Sequence, residues 1–191
     1  QYGGFIARFT IDTQPYGTTT ATGYGEAATA SKTFFVKPNI IFISPTEGTV
    51  GTIISVQGNG FGASKTIRLE FGTTPTIQLT SSCDEGSFTT TFTIDTQPYG
   101  ITTIVAHGSE EAYGTIAILS NIILITPSQG TVGTIVTVRG NGFGATRVIA
   151  IDFGNARTIQ TTSSYAEGSW TTTFTVDTQP YSLKTIKASG T

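Results

Sequence analysis

"ISPTEGTVGTIISVQGNGFGASKTIRLEFG", Ile43 to Gly72, returns 82 residues later as "ITPSQGTVGTIVTVRGNGFGATRVIAIDFG", Ile125 to Gly154. Where the copies differ, the swaps are mostly Ser for Thr, Glu for Gln, Lys for Arg, Ile for Val and Glu for Asp. These keep each position's shape or polarity, which is how a repeated structural unit drifts. Ile67, Leu69 and Phe71 alternate with polar residues, as do Ile149, Ile151 and Phe153, so each set lines one face of a strand. The glycines of "PTEGTVG", "PSQGTVG" and both "GNGFG" stretches supply positive φ or close backbone approach, marking turns and bulges. No amphipathic helix survives this punctuation.

Outward from these copies lies a second repeated phrase. "FTIDTQPYG" occupies Phe9–Gly17 and Phe92–Gly100, and "FTVDTQPYS" occupies Phe174–Ser182. Its prolines, Pro15, Pro98 and Pro180, step by 83 and then 82 residues. In "SFTTTFTID", Phe88, Thr90, Phe92 and Ile94 form an inward set, while Thr89, Thr91, Thr93 and Asp95 point out. Trp170 replaces Phe88 in the last copy, as a core aromatic would. In "TQPYG" the proline fixes φ at the turn after the strand and removes a donor that has no ladder partner there. The tyrosine then covers the end of the core with its hydroxyl at the surface. About seven short strands per repeat of about 82 residues predict an all-β chain of tandem immunoglobulin-like β-sandwiches.

The run "I-x-P-x-x-G-T-V-G-T" through "V-x-G-N-G-F-G" to a strand ending in "F-G" occurs at Ile43–Gly72 and Ile125–Gly154. It resembles the IPT/TIG family of immunoglobulin-like domains. The resemblance implies the sandwich fold and leaves function open, since the family serves in cell-surface receptors, bacterial surface proteins, secreted polysaccharide-degrading enzymes and DNA-binding transcription factors. Ten Lys and Arg against twelve Asp and Glu, with no basic cluster, depart from the transcription-factor branch and argue against nucleic acid. No apolar run approaches the ~20 residues that cross a bilayer, and "QYGGFIARFT" lacks the pattern of a signal peptide.

Catalytic constellations are not assembled by these residues. Asp12, Asp95 and Asp177 recur, but each repeat offers one carboxylate on the outward alternation beside a turn, where it accepts hydrogen bonds from turn amides, whereas glycoside hydrolysis needs a pair. Glu47 becomes Gln129 and Asp84 becomes Ala166. The single histidine, His107, is replaced by Ser189 and reads as a solvent-facing strand residue; the single cysteine, Cys83, is replaced by Tyr165 and reads as a small loop residue. "GNGFG" lacks the lysine and helix of a phosphate loop. No cofactor is expected, with structural calcium a minor candidate because no dense Asp and Asn loop is present. A Lys–Asn staple fails in the last repeat, where Lys65 becomes Arg147 beside Asn141. The exposed threonine rows suit strand surfaces and also admit O-linked glycans.

The frame of the repeats predicts three segments: 1–37 with later strands only, 38–120 as a complete unit, and 121–191 as a unit without its last strand. The counterpart of "SEEAYGTIAILS", Ser109–Ser120, has no copy after Thr191, so the last sandwich is expected to show an open edge. Either the chain is a window on a longer array, or subunits join head to tail by strand exchange, with Phe34, Val36, Ile186 and Ala188 at the pairing positions. Both make the protein its own partner in a structural, non-enzymatic extracellular fibre, surface layer or stalk with short links at "VKPNI" and "LSNII". The other expectation is a carbohydrate-binding or spacer module of a secreted glycan-active protein, with Tyr16, Tyr99 and Tyr181 as candidate glycan contacts.

Overall fold

Alternation of apolar and polar residues builds sixteen strands and no helix among residues 4–190, the part of the chain that the computed structural model describes. None of it is a helix long and apolar enough to cross a membrane. β1 (Gly17–Tyr24) and β2 (Thr29–Val36) pair antiparallel as a two-stranded hairpin. The residues before it, 4–16, carry no strand. Here the structure corrects the expected strand before the "TQPYG" turn, while the turn itself is kept: the corresponding strand further along, β8, is held by a partner ladder that this segment does not have.

That ladder belongs to a complete immunoglobulin-like sandwich. One sheet has the order β3 (Asn39–Ser44), β5 (Ile53–Asn59), β8 (Phe88–Thr93). The facing sheet runs β4 (Glu47–Gly48), β10 (Glu111–Ile118), β9 (Gly100–His107), β6 (Thr66–Phe71), β7 (Thr74–Ser81). The unit thus has eight strands where about seven were expected. The additional one, β4, has two residues and exists by parallel pairing of Glu47 and Gly48 with Ala117 and Ile118 of β10.

Between the sheets the predicted inward sets meet. Ile54, Val56, Phe88 and Phe92 from one side pack on Ile67, Leu69, Phe71, Ile104, Ile116 and Ile118 from the other. Each such side chain contributes roughly 1.5–3 kcal/mol by leaving water. Phe61 of "GNGFG" closes one end, its ring edge-on to Phe88 at 5.1 Å between centroids.

The second sandwich repeats this plan without the last strand. β11 (Asn121–Thr126), β12 (Ile135–Asn141) and β15 (Trp170–Thr175) form one sheet; β14 (Ala156–Ser163), β13 (Val148–Phe153) and β16 (Ile186–Gly190) form the other. Trp170 is 1% exposed and sits in Phe88's place. It fits because Gly140 has no side chain: a Cβ there would stand 2.6 Å from the indole Nε1. Among the described residues that Nε1 is buried without a hydrogen-bond partner.

Nothing among the described residues pairs with the outer edge of β16. Gln129 and Gly130, the counterparts of β4, form no strand, because among the described residues no counterpart of β10 lies beside them. Ile125 and Val132 are exposed where Ile43 and Val50 pack on the core.

Candidate functional site

The recurring "TQPY" turns and "GNGFG" loops meet each other. The Tyr16 N–H donates to the Phe61 carbonyl at 2.8 Å, and one period on the Tyr99 N–H donates to the Phe143 carbonyl at 2.9 Å. Each bond joins the turn of one unit to the loop that opens the next. The phenylalanine works from both sides: its ring is in the core of its own unit, and its carbonyl faces the unit before.

Two glycines in each loop region make the approach possible. Gly86 and Gly168 both have φ 76, and a Cβ on them would lie 2.6 Å from the Pro15 Cα and 2.7 Å from the Pro98 Cα. The proline ring therefore rests where only a glycine leaves room. Gly60 and Gly142 face the two-residue links instead, so that a Cβ on either would overlap the carbonyl oxygen of Lys37 or of Leu119. Link and turn together hold every junction at two points, with Asn59 Nδ2 adding a 3.5 Å bond to Thr13 Oγ1 at the first.

The aspartate of the phrase serves its own turn. Asp12, Asp95 and Asp177 accept from the side-chain amides of Gln14, Gln97 and Gln179 at 2.9, 2.9 and 3.0 Å. Asp95 also accepts from the Thr74 hydroxyl. The turn amides that donate are those of the glutamine side chains, because the glutamine two residues on folds back onto the carboxylate. Gln97, buried, also caps the β6–β7 turn by accepting from Thr73 N–H and donating to the Phe71 carbonyl, both at 3.4 Å.

The three tyrosine rings differ. Tyr16 is half-buried, edge-on to Phe35 at 5.1 Å, with its hydroxyl donating to Glu110 Oε1 at 3.1 Å. Burial and that carboxylate raise its pKa above the ordinary value. Tyr99 is 61% exposed, and Tyr181, with no following loop among the described residues, is fully exposed. A tyrosine covering the core's end is therefore right in kind only for Tyr16, and what it covers is the β1–β2 hairpin. Of the pairing positions, Phe34 is 48% exposed, Val36 is buried, and Ile186 and Ala188 are half-buried.

Other singled-out residues lie apart. His107 is not solvent-facing but half-buried, with Nε2 3.0 Å from Glu70 Oε2 and Nδ1 3.0 Å from Glu111 Oε1. The two carboxylates reach it from β6 and β10, on either side of its own strand. Cys83 is exposed in a loop, its Sγ 3.0 Å from Ser87 Oγ. Among the described residues no group of three or more His, Cys, Asp and Glu could hold a metal ion. The joint itself escaped the sequence reading because its central bond is backbone to backbone; the only signal was that "TQPY" and "GNGFG" recur in register.

Residues 120–188 match the IPT/TIG domain family, as the motif at Ile125–Gly154 implied. Similar solved structures include the BSP domain of a biofilm associated protein, at 16% identity over 81% of this chain and 26% of that one, TM-score 0.29. A Ca2+-stabilized adhesin of an ice-binding Antarctic bacterium overlaps at 13% identity over 91% and 55%, TM-score 0.30. The N-terminal eight Ig domains of the Down Syndrome Cell Adhesion Molecule overlap at 14% over 94% and 27%, TM-score 0.27. The chain spans between about a quarter and just over half of these structures, and overlaps this loose do not bear on function. No curated protein matches in sequence.

Proposed function

We propose that this chain, which carries an IPT/TIG domain at residues 120–188, is a stretch of a non-enzymatic extracellular repeat protein whose sandwiches stack into a semi-rigid stalk or surface fibre. The observation that carries the reading is the joint: the same N–H to carbonyl bond, proline-on-glycine contact and two-residue link occur at both unit junctions, one period apart. A linker left free to swing needs none of these, whereas two attachments per junction restrict hinge motion. Reach then scales with the number of units, and load passes along the chain through strand ladders. The recurrent aspartates support a structural role, since each is engaged by its own glutamine.

Small-angle scattering from the 191-residue chain tests this reading. A rod with one well-defined maximum dimension supports it; profiles of freely hinged beads would remove it. A second reading, a glycan-binding spacer, draws on the exposed rings of Tyr99 and Tyr181. Binding on a glycan array that Tyr99→Ala abolishes would favour it, and an array with no binding would end it.

A further inference from the structure

Among the described residues the outer edge of β16 is unpaired, leaving a place for one more strand. In the complete sandwich that place holds β10, whose Ala112, Ile116 and Ile118 are buried and whose Gly114 lies against Ile43 and Ile40. Around the vacant place Ile125 is 40% and Val132 59% exposed. At the other end of the chain β2 corresponds to β10 residue for residue, with Ala30, Phe34 and Val36 in the places of Ala112, Ile116 and Ile118 and Lys32 in that of Gly114. It belongs to a hairpin with no sandwich of its own.

We infer that β2 of a second copy of this chain occupies the edge of β16, completing the last sandwich and joining copies head to tail. The register is that of β10 on β9, where Ala112 stands opposite Ala106; the corresponding pair is Ala30 of one copy and Ala188 of the other. Continuity with the joint supports this occupant. Within the chain, β10 runs through Leu119 into a unit whose Phe143 loop receives the Tyr99 turn. An added β2 runs through Lys37 into a unit whose Phe61 loop then receives the Tyr181 turn, the fully exposed one. The junction between copies thus repeats the junction within a copy, with β16 and the Tyr181 turn replacing the donor's own β1 and Tyr16 turn. The replacement is more apolar: β16 turns Ile186 and Ala188 inward where β1 has Ala21 and Gly23. Because the contact is head to tail and need not close, it extends into a filament.

The inference rests on the stacking reading above, and cross-linking separates the two. In a Cys83→Ser background, a chain with Ala30→Cys is mixed with a chain with Ala188→Cys and oxidised. The expected product is a disulfide dimer on a non-reducing gel, formed by the mixture and by neither chain alone. The double variant should give a ladder of multimers. Phe34→Asp, at a site half-exposed in the single chain, should weaken association about tenfold to a hundredfold through the lost burial of one large side chain. Chains that stay monomeric would assign the vacancy to a segment continuing this chain, and chains that associate without the Ala30–Ala188 cross-link would place the contact elsewhere; either overturns the inference. Scattering by a rigid single chain would still uphold the stacked units.

Discussion

Two sandwiches with nearly the same sequence differ here by β10 and by the two-residue β4 that pairs with it. Where β10 is present, Ile104 and Ala106 of its neighbour are fully buried, Ile43 and Val50 pack on the core, and β4 exists. Where it is absent, the corresponding Ile186 and Ala188 are half-buried, Ile125 and Val132 are exposed, and Gln129–Gly130 pairs with nothing among the described residues. One strand therefore does more than add a ladder: it buries the residues on both sides of the opening and creates the two-residue partner strand β4 from sequence that is otherwise loop. The joints differ in parallel, since the Tyr99 turn is docked and the Tyr181 turn is not.

The largest expected contrast is at the strand next to the opening. Ile104→Ala should destabilise the central sandwich by about 2–5 kcal/mol through a core cavity, whereas Ile186→Ala, already half in water, should cost about 1 kcal/mol. Denaturant unfolding checks both, with the single tryptophan, Trp170, reporting on the last sandwich alone. Equal losses would mean that the opening is closed in solution.

A second contrast sets the joint against an ordinary turn. Gly168→Ala should destabilise the last sandwich by roughly 2–3 kcal/mol, because a Cβ meets Pro98 and the Phe143 loop as well as suffering the left-handed backbone. At Gly133, where φ is 89 and a Cβ meets nothing within 4 Å, the same change should cost about 1 kcal/mol. The Trp170 emission midpoint separates them.

Smaller differences follow at the glutamines. Gln97→Ala removes a buried group bonded to Asp95, Thr73 and Phe71 and should cost about 1–2 kcal/mol. Gln179→Ala, at a half-buried site, should cost about half as much on the same scale.

The smallest effect is alkaline. Burial and the bond to Glu110 raise the Tyr16 pKa above 10.0, so the folded state favours the protonated phenol. That contribution is whole below the ordinary pKa and is lost as the pH rises through the raised one. Tyr16→Phe should flatten the fall in thermal midpoint between about pH 9 and 11. A fall of the same size in the variant would detach that bond from the joint.

The strands and cores were legible because alternation at Ile67, Leu69 and Phe71, and the aromatic at Phe88 or Trp170, is a side-chain pattern that a pleated sheet imposes. β4 was not legible, because two residues become a strand only through β10. Nor was the loss of the strand over residues 5–10, the counterparts of β8, where Phe5 and the letters of "FTID" are unchanged and the partner ladder is missing. The joint lay in plain view as two repeated phrases, yet a tyrosine invites reading by its ring, and here the shared element is its backbone N–H. The role of Asp95 was half legible: its acceptor role could be read, its glutamine donor could not.

Amide hydrogen exchange at Tyr99 and Tyr181, in a solution dilute enough to keep chains single, tests the joint most directly. Protection at Tyr99 slower by orders of magnitude than at Tyr181 is the expected result, since only the first donates to a phenylalanine carbonyl of a following unit. Equal, fast exchange at both would mean that the units are not docked, and the stalk would be a string of free sandwiches.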